Sequence, residues 1–480
     1  MLLAAASLAG CSPEKLAGND QLPPDVPDPA QTNTPAGAIA AYHGALVRLR
    51  FAFGGHDNSF IPVTGLLTDE LGSGDLGQPN YVVDPMLLDS RFLPEDPGIG
   101  DDSTTAFPIY TLYGLLQKAR GQARQARGAL SAYAPDSSTA LIGHLDAIEG
   151  YADVFLADLF CSGVPLSTLD FDGDFTYQPG SSTEEVYQHA VALFDSALAV
   201  SPDSERVMNL ARVGKGRALL ALGQYAEAAQ AVADVPDDFQ YAFQYSATDV
   251  PGEPTSLDRS NRTFANRDLY PGFGGGMMVT MVDAEGGNGL PFLSSGDPRV
   301  AWDDSAGTYH GLAIKRPVEY PLDGSGSIVL ASGVEARLIQ AEAQLQAGDA
   351  AGWLATLNAL RTDGTYDTQQ DPNDATKTDT LWHAGTGGVA GLRPLADPGT
   401  PDGQVSLLFQ ERAYWLFLTG HRQGDLRRLI RQYGRQAPTV YPAGPYPAAY
   451  KTYGTDVTAP IPGTERVSNP LFTGCRSRGA

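Results

Sequence analysis

The sequence LFQERAYWLFLTGHRQGDLRRL occupies residues 408–429 and predicts two helices that meet at a sharp corner. An apolar run at residues 413–418 is followed by Thr419 and Gly420, and glycine readily adopts the positive φ needed just past a helix C-terminus. Charged residues flank the run on both sides: Glu411, Arg412, Arg422, Asp425 and Arg428. Because an unpaired buried charge is costly, we expect these five side chains to form a paired structural network inside or beside the core.

Three further segments carry short motifs that belong together with those of residues 408–429. They are residues 152–166, which end in LFCSGVPL; residues 335–343 followed by LNALR at 357–361; and PIP at 460–462 with NP at 469–470. Together with QER at 410–412, GHR at 420–422 and DLRR at 425–428, they resemble the SusD/RagB family of outer-membrane nutrient-binding lipoproteins. The motif DPR at 297–299 is also similar to this family. The segments occur in the family's order, so the resemblance spans nearly the whole chain.

Helical repeats give the same picture independently of the resemblance. Pro202 and Pro236 are 34 residues apart, which is the tetratricopeptide period. Small and apolar residues recur at matching spacing: Ala218, Leu220 and Gly223 in one unit, and Ala343, Leu345 and Gly348 in another. We therefore predict a mainly α fold: a tetratricopeptide-like scaffold of helical pairs, similar to SusD, with long irregular loops and a few short strands.

Helix boundaries follow from apolar spacing and capping signals. We predict helices over residues 36–53, 107–133 and 139–160, with a loop-like stretch over residues 54–102. The sequence SSTEE at 181–185 opens another helix in capping-box fashion, closing near residue 200. A second helix ends at the turn of residues 220–225, and a third ends near Pro236.

The N-terminus resembles a lipoprotein signal. Residues 1–11 end in Leu-Ala-Gly-Cys, a bacterial lipobox that would make Cys11 the lipidated residue, and residues 12–34 form a Pro-rich extended tether. No basic region precedes the apolar run, so the true start can lie upstream; a short buried apolar segment is the alternative. No other segment approaches the about 18–20 apolar residues of a membrane-spanning helix, so only the lipid would hold the protein to the membrane.

A domain plan follows from these features. We expect one SusD-like domain over residues 35–480, with the helical scaffold at 35–236 and 333–434. A ligand-loop insertion occupies residues 237–332, with short strands expected within 311–330, and a second polar, loop-like insertion occupies residues 362–404. Long irregular insertions in compact proteins are usually functional.

Two cysteines remain once Cys11 is assigned to lipid. Export to an oxidising compartment would favour a disulfide between Cys161 and Cys475, and two buried or free thiols are the alternative.

Composition restricts the function classes. The net charge of −24 disfavours nucleic acid and anionic lipid as partners, whereas a neutral ligand suffers no repulsion.

Motifs of common enzyme classes are absent from the sequence. It lacks zinc-protease, nucleophile-elbow and phosphate-loop motifs, so we expect no enzyme activity, metal or cofactor. The acidic sequence DFDGD at 170–174 departs from the calcium-loop pattern at its glycine and at Ser181, and a solvated turn is the simpler interpretation. A pair of carboxylates suited to glycoside hydrolysis stays open, because sequence does not give their separation.

Aromatic residues in loops are the main indication of a binding site. Sugars present flat C–H faces that stack on aromatic rings, while nearby polar groups bond their hydroxyls. The candidates are Asn80, Tyr81, Phe92, Asp101, Tyr270, Trp302 and Tyr309. Anchoring of the loops to the scaffold is the alternative role for the same aromatics.

The resemblance implies a surface-exposed, lipid-anchored protein of the cell outer membrane. It would bind a glycan, peptide or other nutrient oligomer and pass it to a SusC-like TonB-dependent β-barrel transporter. Two other classes remain open: a tetratricopeptide-type protein-binding lipoprotein without sugar affinity, and a secreted hydrolase.

Overall fold

The computed structural model of the protein describes residues 33–55, 58–73, 84–93, 108–137, 139–169, 171, 175–245, 279–283, 288–304, 308–309, 312–313, 315–318, 326–363, 365–371, 374–383, 392–446 and 452–480. Its described part is mainly α-helical with short two-stranded ladders, which confirms the predicted fold class. Cys11, the apolar run before it and most of the predicted tether lie outside the described residues.

The helices follow one another through most of the described chain. They are α1 (Pro35–Gly54), α2 (Phe60–Leu67), α3 (Asp84–Asp89), α4 (Pro108–Tyr133), α5 (Thr139–Leu159), α6 (Thr183–Val200), α7 (Glu205–Ala221), α8 (Tyr225–Ala231), α9 (Gly333–Gln346), α10 (Gly352–Asp363), α11 (Pro401–Trp415), α12 (Arg422–Arg431) and α13 (Gly463–Ser468). Within the described ranges, none of these helices combines the length and the apolar character needed to cross a membrane.

Neighbouring helices stack in a row. Helix α1 packs on α4, α4 on α5, α5 on α6, α6 on α7, α7 on α8, α8 on α9 and α9 on α10. Most of the apolar core lies along this row, and a smaller cluster around Trp353 and Tyr441 joins α9 and α10 to α11 and α12. This stacking of helical pairs is the predicted tetratricopeptide-like scaffold.

Capping residues set the limits of the repeated helices. The Ser182 hydroxyl accepts a hydrogen bond from the Glu185 N–H at 3.1 Å, and Glu185 accepts one from the Ser182 N–H at 2.6 Å, so a capping box lies within the segment 181–185, where the sequence predicts one. Gly223 and Gly348, at φ of 74° and 75°, follow the ends of α7 and α9. The repeat spacing predicts that these two glycines occupy equivalent positions in their units. Both allow the left-handed turn between the helices of a pair.

The strands are short. They are β1 (Gly72–Ser73), β2 (Val164–Pro165), β3 (Thr168–Leu169), β4 (Phe175–Thr176), β5 (Gly180–Ser181), β6 (Gln240–Tyr245), β7 (Val279–Thr280), β8 (Trp302–Asp303), β9 (Thr308–Tyr309), β10 (Leu312–Ala313), β11 (Arg316–Pro317), β12 (Gly326–Ser332), β13 (Thr365–Asp371) and β14 (Asp374–His383). Strands β6 and β12 pair antiparallel, from Gln240 opposite Ser332 to Tyr245 opposite Gly326. The two ends of the first insertion therefore lie side by side where they join the scaffold.

Two regions predicted to be loops contain regular structure. Residues 60–67 form α2, in which every residue is buried, so the sequence shows no amphipathic period there. The second insertion, predicted as loop over residues 362–404, includes the β13–β14 hairpin, and α11 already begins at Pro401.

The C-terminal segment closes onto the end of α5. Cys161 and Cys475 form a disulfide with their Cα atoms 5.8 Å apart. Backbone bridges flank it on both sides: Phe160 pairs with Ala459, and Ser162 pairs with Ser477. The Arg427 guanidinium donates to the Asp158 carbonyl at 2.9 Å, capping the same helix end.

Removing the disulfide should lower stability measurably. We expect the Cys161→Ala/Cys475→Ala variant to lose about 2–4 kcal/mol of unfolding free energy in urea, because the bridge closes a long loop in the unfolded chain. Under a reducing agent the wild type and the variant should become nearly equal, which corrects for packing lost at buried Cys161. Equal stability of the two oxidised proteins would contradict this expectation.

Candidate ligand-binding surface

Buried ion pairs hold the corner between α11 and α12 together. Asp425 on α12 accepts hydrogen bonds from Arg412 Nε at 2.8 Å and from Arg428 Nη2 at 2.9 Å. Arg428 also donates to Glu342 on α9 at 2.9 Å. Burial alone would raise the pKa of Asp425, but the two guanidinium groups hold it well below its usual range. The corner is thereby tied to the helical scaffold.

The other two members of the predicted five-residue network pair elsewhere. Glu411 pairs with Arg299 at 2.9 Å and with Arg361 at 2.6 Å, while Arg422 pairs with Asp69 at 2.6 Å. Consecutive helical residues point about 100° apart, so neighbours such as Glu411 and Arg412 face different surroundings. The five charges therefore do not form one closed network; two of them reach distant segments.

Arg299 fixes a turn of the first insertion. Its guanidinium bridges Glu411 and Asp297, with a distance of 2.7 Å to Asp297, and it lies 5.1 Å from the Tyr414 ring centroid and 4.7 Å from that of Trp415. The motif DPR thus forms a 3-10 turn over Pro298–Val300 pinned to α11. The next strand, β8, begins at Trp302.

Asp69 provides a second attachment for the same insertion. Its carboxylate receives two hydrogen bonds from Arg422, both 2.6 Å, and one from the Leu290 N–H at 2.8 Å. Three residues later, the Leu293 carbonyl accepts the indole N–H of Trp302 at 2.8 Å. Asp69 and Arg299 together determine where Trp302 lies.

Two further buried carboxyl groups, Glu70 and Asp89, accept hydrogen bonds from segments near Asp69 and the α11–α12 corner. Glu70 accepts the Leu418 N–H at 2.8 Å, at a residue whose φ is 53°. Asp89 accepts the Ser73 N–H at 2.7 Å and the Tyr446 hydroxyl at 2.9 Å. Burial raises the pKa of Glu70 to about 8 and that of Asp89 to about 7, although these hydrogen bonds oppose the shift.

Trp302 is the centre of an exposed polar and aromatic surface. Its side chain is 38% exposed, and the Lys315 ammonium lies 4.4 Å from the ring centroid. Across the β8–β11 pair, Arg316 forms an ion pair with Asp303, and Lys315 lies 3.9 Å from Asp304. We call these five residues the Trp302 surface: it offers an indole face beside charged groups that can bond hydroxyls.

The remaining ligand-binding candidates fall into two groups. Phe92 follows α3 and is 58% exposed, and the Tyr309 backbone pairs with Leu312 in the β9–β10 ladder. Asn80, Tyr81, Asp101 and Tyr270 lie outside the described residues.

The described ends of two candidate segments meet beside the Trp302 surface. Ser73, which precedes the segment with Asn80 and Tyr81, pairs with Val279, which follows the segment with Tyr270. The Met281 N–H donates to the Lys315 carbonyl at 2.9 Å. The structure therefore brings these attachment points next to Trp302.

Sequence reasoning missed the four charged members of the Trp302 surface: Asp303, Asp304, Lys315 and Arg316. The candidates were aromatic, amide and acidic residues in loops, and none of these four was among them. The alternation over residues 311–330 did indicate strands, and strand pairing is what places these side chains near Trp302.

Comparisons with known proteins identify the architecture. No family model matches the sequence, and no curated protein matches it. Among solved structures, a SusD superfamily protein from Bacteroides vulgatus matches with a TM-score of 0.57 and 16% identity, covering 93% of this chain and 99% of that one. A SusD homolog from Bacteroides thetaiotaomicron matches with a TM-score of 0.60 and 14% identity, covering 94% and 99%.

A further match is described as a laminarin-binding SusD-like protein. Its TM-score is 0.59 at 14% identity, and the match covers 92% of this chain and 99% of that one. The chain therefore has the SusD fold over nearly its whole length. The resemblance predicted from the sequence motifs is confirmed at the level of the fold.

Glu70 should make the protein less stable as pH rises. Between its ordinary pKa of 4.5 and about 8, the unfolded state releases the proton while the folded state retains it, so the unfolding free energy falls by up to about 1.4 kcal/mol per pH unit. We expect Glu70→Gln to have a shallower decline between pH 5 and pH 8 in urea unfolding. Asp89, whose pKa is also raised, contributes in the same direction, whereas buried His144, whose pKa is lowered to about 4, contributes in the opposite direction below about pH 6.5. Glu184→Gln, at an exposed position, is the control, and identical slopes for wild type and Glu70→Gln would refute the assignment.

Proposed function

We propose that the protein is an outer-membrane lipoprotein that binds a glycan or other nutrient oligomer and passes it to a TonB-dependent transporter. The observation that carries this proposal is the SusD fold over nearly the whole chain, shared with neighbours described as laminarin-binding and as a putative sugar-binding protein. The Trp302 surface supports it because an exposed indole beside ion-paired side chains suits a polyhydroxylated ligand.

The mechanism is binding and release without covalent chemistry. The ligand stacks on Trp302 and exchanges hydrogen bonds with the charged groups around it. Ion pairs through Arg299 and Asp69 hold the indole in place before the ligand arrives, which lowers the entropy lost on binding. Among the described residues, no group of three or more His, Cys, Asp or Glu side chains could hold a metal ion.

Membrane attachment through lipid on Cys11 is the second part of the proposal. The Leu-Ala-Gly-Cys sequence and the Pro-rich stretch after it support it. The several acyl chains of a mature bacterial lipoprotein give stable anchoring, whereas a single chain does not. The SusC-like barrel is the proposed partner, and it would receive the ligand from this protein at the membrane surface.

Substituting Trp302 should weaken glycan binding. We expect Trp302→Ala to bind laminarin oligosaccharides, or whichever member of a neutral glycan panel the wild type binds, about tenfold more weakly in isothermal titration calorimetry, since about 1.4 kcal/mol of stacking is lost. Val318→Ala is the matched control: Val318 is 49% exposed and follows β11, and its backbone bonds to Ala301. An unchanged affinity in Trp302→Ala would place the ligand elsewhere. If the wild type binds no glycan but still binds other proteins, the result would favour the tetratricopeptide-type protein-binding scaffold.

Cys11 should be needed for lipidation and for recovery of the transporter. In the native host, we expect Cys11→Ala to lose labelling by a palmitate analogue and to leave the membrane fraction, whereas Ser12→Ala behaves as wild type. The lipidated protein purified from outer membranes should bring a TonB-dependent barrel with it in stoichiometric amount. Labelling that persists in Cys11→Ala would disprove the lipid assignment, and purification without a barrel would disprove the transport partner.

A further inference from the structure

A groove separate from the Trp302 surface lies between α4, the β3–β4 hairpin and α13. It has a volume of about 350 Å³, within the usual range of small-molecule sites, and shares no lining residue with the Trp302 surface. Its floor on α4 includes Gln117, Gly121 and Gln125, and Phe175 stands at its edge.

A pair of exposed aromatic side chains stands at this groove: Phe175 lines it, and Tyr177 packs on Phe175. Phe175 is 51% exposed and Tyr177 is 40% exposed, and their ring centroids lie 4.6 Å apart at an angle of 66°. Large apolar rings left in water beside a concave surface mark a binding site more often than an isolated exposed residue does. Rings in this position can stack on the C–H face of a sugar.

Amide groups supply the polar part of the groove. Gln122 accepts a hydrogen bond from Arg48 Nε at 3.2 Å, which leaves its amide N–H groups for a ligand. Gln125 and Lys118 have no hydrogen-bond or ion-pair partner within the described part of the chain. An amide both donates and accepts, so it matches a hydroxyl group, which does the same.

The groove continues along α4 towards α1. A second cavity of about 620 Å³ shares Gln122 and Gln125 with the first and is lined on α1 by small residues such as Ala40 and Gly44. The lining positions on α4 run from Gln117 to Ala129, which is about 18 Å of helix. This length suits a chain of several sugar units better than a single sugar.

Charge argues for a neutral ligand. The first cavity has one cationic and one anionic lining residue, Lys118 and Glu465. The Glu465 carboxylate already accepts hydrogen bonds from the Tyr113 hydroxyl at 3.3 Å and from Asn469 Nδ2 at 3.2 Å. The net charge of −24 also disfavours an anionic chain.

We propose that this groove is a second binding site, which holds a neutral oligosaccharide along α4 between Phe175 and the α1 helix. The inference rests on the proposed function for the class of ligand, but on different residues. Two sites on one protein would hold a long polysaccharide more tightly than either site alone, because binding at one raises the effective concentration at the other.

The glycines of α4 provide a matched pair of variants. A Cβ added at Gly121 or at Gly114 would meet no heavy atom within 4 Å, so leucine at either position should be tolerated, and it has a higher helix propensity than glycine. Gly121→Leu places its side chain at the groove, whereas Gly114 is outside the lining and serves as the control. Phe175→Ala tests the aromatic edge at an exposed position where little stability is at stake.

The test is calorimetric titration of the full chain with short laminarin, cello-, xylo- and malto-oligosaccharides. For the wild type and Gly114→Leu we expect two equivalents of one of these ligands. Trp302→Ala and Gly121→Leu should each retain one equivalent, the double variant should retain none, and Phe175→Ala should weaken one site by about tenfold.

Other outcomes separate the groove from the proposed function. A single equivalent that is lost in Trp302→Ala and kept in Gly121→Leu overturns the groove and leaves the proposed function standing. A single equivalent that is lost in Gly121→Leu and kept in Trp302→Ala supports the groove and overturns the Trp302 surface as a binding site. No binding of any oligosaccharide to the wild type overturns both. If Gly121→Leu keeps two equivalents of sugar but loses a barrel that purifies with the wild type, the groove binds protein and the sugar assignment is wrong.

Discussion

Arginine side chains buried at the corner between α11 and α12 need carboxylate partners, and this requirement organises the rest of the molecule. Each partner comes from a different part of the chain: Asp69 from the segment after α2, Glu342 from α9, and Asp425 from α12 itself. A buried ion pair adds little net stability compared with apolar packing, but removing one partner leaves a lone charge in the core. Such pairs therefore penalise every arrangement in which the wrong segments meet. In this fold they select the contact between the corner, the scaffold and the insertion that carries Trp302.

The sequence was most informative for the long helices. Helices α1 and α4 bury one side more than the other, and helix α5 is buried throughout residues 143–159; the predicted limits of all three differ from the observed ones by one residue at most. Helix α2 was missed because it has only eight residues and is buried all round, so no periodic pattern can be recognised in it. Helix α11 stops at Trp415, inside the apolar run, because Leu418 and Gly420 both take positive φ where the chain turns. Hydrophobicity alone gives no signal for that turn.

How much of the candidate site could be predicted depended on how far apart its residues lie along the sequence. Trp302 could be proposed from its residue type and its position in a long insertion, but its neighbours are set by strand pairing and by contacts with Asp69 and Glu411. More than 100 residues separate Arg299 from Glu411, so a single sequence cannot show that they pair. The groove along α4 was missed for the same reason. Its walls come from three segments, and Glu465 lies far along the chain from Gln117.

The closure of the C-terminal segment on α5 imposes an order on folding. The residues that complete the end of this helix, Ala459 and Cys475 among them, lie about 300 positions further along the chain, and the disulfide spans a separation of 314 residues. Contacts between such distant residues form slowly, because a very long loop must close first. During synthesis the end of α5 therefore stays incomplete until the last residues of the chain have been made. A chain truncated before Ala459 would lack both backbone bridges and the disulfide that complete this helix end.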